Sequence, residues 1–281
     1  SISTYDENGQ TIVNTAVKDA NGGEEIGAGI ESMYITDNTG YILCNASDKV
    51  EFVDANTLAF IDNPITNINT PRYMTTIGNS GFVSCWGPFS PTFSLENSYV
   101  AVMDLDQRAI VDTLKCGSGP EGIFAVGNKL FIANSYETSI TVYNVSSGNS
   151  TTIHVEAAPQ HFELDNSGLL WVSLGSGFGM HGQDKVGLQA IDPGDNSLAE
   201  FVNFPGISDD GEMAPDSSEG KIYFLTAAPF PGTATSVYAL DTDSKTIGSD
   251  AVIEGQNFYG IGFNPASEHI YIADAAAFGG P

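Results

Sequence analysis

Charged side chains recur at one aligned position along the chain. Arg72 and Glu121 each directly follow a proline, and four further residues align with them. The aligned set is Glu31, Arg72, Glu121, Gln160, Glu212 and Tyr259. If these positions converge, three carboxylates facing one guanidinium could bind a cation or orient a polar ligand. The alternative is that the same residues line a water-filled channel.

Two of the four histidines are candidates for polar contacts with a ligand. His161 lies next to an aligned position and His181 lies in a long loop, whereas His154 and His269 lie in or beside strand-like segments. Spacing assigns no partner carboxylate to either candidate. The sequence also contains no G-x-S-x-G, H-E-x-x-H or P-loop motif. We therefore assign no catalytic residue and expect a non-catalytic protein.

Aromatic side chains are concentrated in long segments rich in glycine and proline. Four of them are candidates for stacking on a ligand: Trp86, Phe89, Phe178 and Phe230. Strand periodicity does not explain aromatics in such loops, which favours an apolar ligand-binding face. The alternative is that the loops pack on one another over the rims of the fold. Arg72, Glu121, His161 and His181 would then supply polar orientation.

The elements that carry these residues form a repeat. A short apolar segment ending in a small residue recurs about every 40 to 52 residues, within the range of propeller blades. Its copies are 41–44, 82–85, 130–133, 170–173, 222–225 and 270–273. Each of the first five is followed by an alternating segment that ends on Asp or Asn and enters a turn, and residues 2–6 form a further copy of that second segment. Alternation with Asp, Asn and Gly turns predicts antiparallel strands.

Stacking such units around an axis predicts an all-β fold, a single β-propeller domain over residues 1–281 with four-stranded antiparallel blades. The chain opens on the second kind of strand and stops after the first kind. Two architectures follow: a seven-bladed propeller with incomplete end blades, or six blades closed by a hybrid of the two ends. The start at Ser1 and the stop at Pro281 favour seven.

Composition narrows the class of partner. The chain has 9 Lys and Arg against 35 Asp and Glu, a formal net charge of −26, which excludes a nucleic-acid partner. It has no apolar run long enough for direct membrane insertion. Few lysines and abundant Asn, Ser, Thr and Gly favour an extracellular or cell-surface protein.

Residues 119–123, 128–135 and 139–143 resemble the YVTN or YncE-like propeller repeat. Residues 1–10, 21–54 and 257–275 look more specifically like surface propellers of Bacteroidota that carry a domain of unknown function. That resemblance implies a seven-bladed fold. It also implies capture of cobalamin at the cell surface for a TonB-dependent outer-membrane transporter, with an outer-membrane lipoprotein anchor lying outside this chain.

We therefore expect a non-catalytic propeller that binds a small ligand, with cobalamin or a similar cofactor as a ligand and with no cofactor required. Two alternatives stay open. One is a lactonase-like hydrolase with a calcium ion or another divalent cation held by Glu31, Glu121 and Glu212. The other is a scaffold that binds another protein through the same face.

Overall fold

The computed structural model describes residues 2–88, 95, 97–176, 185–204, 206–207, 211–227 and 234–274. The chain divides into two compact units, residues 1–125 and 126–281. Both are built almost wholly of antiparallel strands. The described part includes a short α-helix, α1 (Ala16–Ala20), and a 3₁₀ turn at Asn45–Ser47. Neither is long or apolar enough to cross a membrane.

The first unit begins with a two-stranded sheet and continues into two blades, each with its strands hydrogen-bonded in chain order. The opening sheet is β1 (Thr4–Asp6) and β2 (Thr11–Val13). The first blade is β3 (Ile30–Thr36), β4 (Thr39–Cys44), β5 (Lys49–Asp54) and β6 (Ile65–Thr66). The second is β7 (Pro71–Ile77), β8 (Ser80–Cys85), β9 (Tyr99–Asp104) and β10 (Ala109–Lys115).

The third blade has the order β11-β12-β13-β14, and the boundary between the units falls inside its first strand. Its strands are β11 (Pro120–Val126), β12 (Lys129–Asn134), β13 (Ser139–Asn144) and β14 (Asn149–His154). The fourth blade is β15 (Ala158–Leu164), β16 (Leu170–Gly175), β17 (Gly187–Asp192) and β18 (Ser197–Asn203).

The fifth blade differs because its outer strand is interrupted, so that two short strands both pair with the third. It comprises β19 (Met213–Asp216), β20 (Lys221–Ala227), β21 (Ala234–Asp241), β22 (Thr246–Ile247) and β23 (Ile253–Gln256). The chain then forms a two-stranded sheet of β24 (Phe258–Asn264) and β25 (His269–Asp274).

The described residues therefore form a propeller-type fold with five blades, and the predictions of seven and of six blades are wrong. The strand pairs themselves are confirmed, since every predicted copy is a strand. The error lies at the two ends, where β1–β2 and β24–β25 are separate two-stranded sheets. The repeat in the sequence does not reveal which strands hydrogen-bond to one another. Counting recurring strands therefore counts each two-stranded end sheet as part of a further four-stranded blade.

Packing within each unit follows the alternation of the strands. In the first unit, Tyr41 and Phe52 are paired across β4 and β5 and meet edge to face, with ring centroids 5.6 Å apart. In the second, Trp171, Phe224 and Leu240 belong to one buried cluster. Burying a side chain of this size stabilises the fold by about 1.5–3 kcal/mol. These cores hold the first strands of the blades, which carry the aligned charged residues.

Candidate functional site

The structure brings Arg72 together with two carboxylates at the first strands of three successive blades, all within residues 1–125. Arg72, Glu31 and Glu121 are the second residues of β7, β3 and β11. Arg72 Nε donates to both carboxylate oxygens of Glu121 at 3.1 Å, and Nη2 donates to Glu121 Oε1 at 2.6 Å. Nη2 also lies 2.7 Å from Glu31 Oε1. Such forked contacts fix the plane of a guanidinium.

Trp86 closes a face of the same guanidinium. It directly follows β8, and Arg72 Cζ lies 4.2 Å from the centroid of its ring, a cation–π contact. The indole Nε1 donates to Glu121 Oε2 at 3.0 Å. We call Glu31, Arg72, Trp86 and Glu121 the Arg72 cluster. Trp86 is only 9% exposed and its ring contacts Arg72, and the prediction that it stacks on a ligand stays untested.

A left-handed residue precedes each charged residue of the cluster by two positions. Gly29, Thr70 and Gly119 have φ of 63°, 49° and 60°. At Gly29 a Cβ atom would lie 2.3 Å from Asn45 Oδ1, and Asn45 Nδ2 donates to Glu31 Oε2 at 2.5 Å. Glycine is therefore required there by conformation and by space. The shared backbone turn explains why the charged residues occupy the same place in each blade.

Thr70 adopts this conformation without being a glycine. A positive φ is a genuine outlier for a β-branched residue and costs about 1–3 kcal/mol. Local hydrogen bonds hold it: its N–H donates to Asp48 Oδ1 at 2.8 Å and its Oγ1 donates to Gly87 O at 3.2 Å. The Trp86 N–H in turn donates to Thr70 O at 3.1 Å. The strained residue thus ties together the two chain segments that carry Arg72 and Trp86.

Two serines fix the backbone of the cluster from neighbouring strands. Ser32 Oγ donates to Arg72 O at 2.6 Å. Ser84 Oγ donates to Glu121 O at 2.6 Å, and it accepts the N–H of Tyr73 at 3.1 Å. The bonds to Arg72 O and Glu121 O each join one blade to the next, and the bond from Tyr73 lies within the second blade. The charged side chains therefore project from a backbone that is held on both sides.

Burial makes the electrostatics of the cluster strong. The side chains of Arg72, Glu31 and Glu121 are 10%, 6% and 6% exposed. Burial alone would lower the pKa of Arg72, but the carboxylates of Glu121 and Glu31 outweigh it and hold that pKa above its ordinary value. The guanidinium therefore stays charged. With two carboxylates around it, the cluster carries a formal charge of −1.

In the second unit, His161 and Glu212 each take part in a hydrogen bond that involves a backbone N–H group. His161 is buried, and its N–H donates to Ser173 Oγ at 3.1 Å. Ser173 Oγ donates to Gly211 O at 2.7 Å, as Ser84 does to Glu121 O in the first unit. Glu212 Oε2 accepts the N–H of Ile261 at 3.3 Å. No group of three His, Cys, Asp or Glu suited to a metal ion occurs among the described residues.

Four of the predicted site residues lie outside the described residues. They are Phe89, Phe178, Phe230 and His181. Sequence reasoning missed four residues that support the Arg72 cluster: Ser32, Asn45, Thr70 and Ser84. Ser84 has a structural counterpart in Ser173, since each accepts a backbone N–H from the first strand of its own blade. No pattern in the sequence marks Thr70, which is β-branched where its two counterparts are glycines.

Comparison with known proteins identifies the family and supports the fold. The profile of a family described as a domain of unknown function, DUF5074, matches residues 1–280. No curated protein sequence matches the chain. Among solved structures, hydrazine synthase of Kuenenia stuttgartiensis has a TM-score of 0.70 at 17% identity, over 89% of this chain and 74% of that chain.

Two other solved structures illustrate how widely the fold is shared. The extracellular domain of the one component system BT4673 from B. thetaiotaomicron has a TM-score of 0.60 at 17% identity, over 87% of this chain and 32% of that chain. This chain therefore spans about a third of that protein. Streptogramin B lyase has a TM-score of 0.58 at 11% identity, over 88% of this chain and 90% of that one. At such identities the likeness extends to the fold alone.

Proposed function

The chain belongs to the DUF5074 family, and we propose that it is a non-catalytic ligand-binding propeller in which the Arg72 cluster orients a small ligand. The observation that carries this proposal is the arrangement of Arg72 itself. Its side chain is nine-tenths buried and held by Glu31, Glu121 and Trp86. Binding sites are characteristically built from few polar groups whose positions are fixed before the ligand arrives.

The strain at Thr70 is a second argument for a functional role of this place. Residues in sparsely populated backbone conformations persist where the surrounding structure over-determines them, and they cluster at binding sites. Thr70 immediately precedes the Pro71-Arg72 start of β7, and its carbonyl oxygen accepts the Trp86 N–H. A glycine at this position would give the same turn without strain, as it does at Gly29 and Gly119.

Cobalamin or a similar cofactor is the ligand that we propose to test first, with delivery to a TonB-dependent outer-membrane transporter. We further propose that the protein is extracellular or attached to the cell surface, through a lipid anchor in that second case. The likeness of its fold to an extracellular domain from B. thetaiotaomicron supports this location, as does the composition of the chain. The aromatic residues Trp86, Phe89, Phe178 and Phe230 are the proposed apolar contacts.

Isothermal titration of the protein with cobalamin, then with a panel of porphyrins and oligosaccharides, tests the proposal. The cluster variant is Glu121→Gln, which removes one charge at nearly constant shape. The control is Glu51→Gln in the same unit, because Glu51 is also buried and its carboxylate lies 2.8 Å from Lys49 Nζ. We expect Glu121→Gln to weaken binding by about tenfold or more, and Glu51→Gln to leave it unchanged.

Each titration is repeated after treatment with EDTA. Binding that survives EDTA and depends on Glu121 supports the proposal. If no member of the panel binds, or if both variants weaken binding equally, the proposed site is wrong. Release of one equivalent of metal together with loss of binding would favour the alternative of a hydrolase with a divalent cation.

A further inference from the structure

One terminal nitrogen of the Arg72 guanidinium, Nη1, makes no hydrogen bond or ion pair in the described part of the chain. Nε and Nη2 make all of the guanidinium's hydrogen bonds and ion pairs in the described part of the chain, and they go to Glu121 and Glu31. The two N–H groups of Nη1 have no hydrogen-bond partner among those residues. A guanidinium carries five N–H donors and no acceptor, so an additional partner of Nη1 has to supply an oxygen or nitrogen lone pair.

The guanidinium is a rigid plane, so it cannot rotate to give Nη1 a hydrogen-bond partner without losing the contacts of Nε and Nη2. The forked pair with Glu121 fixes the plane, Glu31 fixes Nη2, and the Trp86 ring covers one face. The direction in which Nη1 donates is therefore set by the fold. A ligand that accepts the hydrogen bonds of Nη1 therefore meets a donor whose direction is fixed before binding, so little conformational freedom is lost when they form.

The charge of the cluster decides which acceptor fits. Two carboxylates lie within hydrogen-bonding distance of the one cation, so the sum is −1. Three of the four other basic residues in the first unit, Lys18, Lys49 and Arg108, form ion pairs with acidic residues other than Glu31 and Glu121. An incoming carboxylate or phosphate would be repelled by the two carboxylates of the cluster. Because both are buried, water screens this repulsion little, and binding of an anion is strongly unfavourable.

We infer that Arg72 Nη1 anchors an uncharged oxygen acceptor, namely the carbonyl oxygen of an amide or a comparable neutral group, and that the cluster discriminates against carboxylates and phosphates. This inference deepens the proposed function and rests on it, since it names the chemical class of ligand at the same site. It makes Arg72 a specificity-determining residue. Glu31 and Glu121 are positioning residues, and their negative charges make the site prefer a neutral acceptor to an anion.

Acetamide and acetate are a matched pair of probes, because they have nearly the same shape and differ in charge. The readout is the indole N–H signal of Trp86 in ¹⁵N-resolved NMR of the full chain. The protein has two tryptophans, and Trp171 is an internal control because it is fully buried with its indole N–H donating to Asp165 Oδ2 at 2.8 Å. Loss of one signal in Trp86→Phe assigns the two.

Acetamide should shift the Trp86 signal saturably and leave the Trp171 signal in place. Acetate at equal ionic strength should bind at least about tenfold more weakly. Glu31→Gln removes one negative charge and should narrow that gap, whereas Glu51→Gln should not. Arg72→Lys keeps the positive charge but lacks Nη1, so it should abolish the response to acetamide; if this variant does not fold, the comparison of probes on the natural sequence still decides.

A stronger response to acetate than to acetamide overturns the inference, and so does the absence of a saturable response to either probe. The outcome is separable from that of the proposed function. A protein that responds to acetamide but binds neither cobalamin, nor a porphyrin, nor an oligosaccharide supports the neutral-acceptor site and refutes those ligands. A protein that binds cobalamin through Glu121 but responds more strongly to acetate refutes the discrimination and keeps the binding function.

Discussion

Glu163 gives the fold of the second unit a pH dependence that can be calculated. It lies in β15 and is half-buried, and its carboxyl group makes no hydrogen bond or ion pair in the part of the chain that the structure describes. Burial raises the pKa of Glu163 from its ordinary value of 4.5 to about 8. In the unfolded chain the carboxyl group loses its proton near the ordinary value, whereas in the folded protein it keeps the proton until the pH approaches 8.

The sign follows from proton linkage. Between these two pKa values the folded state binds one proton more than the unfolded state, so the free energy of unfolding falls as the pH rises. One pKa unit corresponds to about 1.4 kcal/mol, so the full shift would be worth at most about 5 kcal/mol. Because the carboxyl group keeps some contact with water, we expect a loss of about 2–4 kcal/mol. The loss begins above the ordinary value and is complete above about pH 8.

The test is urea unfolding of the protein and of Glu163→Gln at a series of pH values from about 5 to 9. The glutamine side chain remains neutral throughout this range, so the variant should gain relative stability as the pH rises. Glu156→Gln in the same unit is the control, because Glu156 is largely exposed and lies 3.4 Å from Lys185. If the stability of Glu163→Gln follows that of the natural sequence in parallel at every pH, the reasoning is refuted.

Three further changes test the packing of the first unit by urea unfolding. Trp86→Phe removes the donor to Glu121 and should destabilise by about 1.5–3 kcal/mol; a smaller loss would show that this bond is weak. Gly29→Ala should cost more than about 2 kcal/mol, because of its positive φ and the lack of space, whereas Gly78→Ala meets nothing within 4 Å and should cost only about 1–2 kcal/mol. Ser84→Ala should cost about 1–3 kcal/mol, and a neutral result would remove its bridging role.

The sequence predicted the strands well because their signals are local. Alternation and turn residues act over a few positions, so each pair such as β12 and β13 could be located from its own letters. The number of blades depends on which strands hydrogen-bond across the chain. Residues 2–6 look like the second strand of a blade, yet β1 pairs with β2 alone. Local pattern carries no information on that choice.

In the candidate site, too, some residues could be predicted from local sequence and others could not. Proline and charge at aligned positions were enough to group Arg72 with Glu121 and Glu31, which the structure places in contact. The supporting residues were not predictable in this way. Thr70 has the positive φ that glycine has elsewhere, and a propensity argument would exclude threonine from it. Positions where local preference fails are those where the fold imposes a conformation for another reason.

The Arg72 cluster is a poor device for stability and a good one for recognition. The chain has only 9 basic residues, and one of them is buried between two carboxylates, where desolvation offsets much of the Coulombic attraction. A well-packed apolar group of the same size would hold the three blade starts about as well. What the apolar group could not supply is a donor of fixed direction beside an excess of negative charge. Under the proposed function, that combination selects a ligand by charge and by hydrogen bonding.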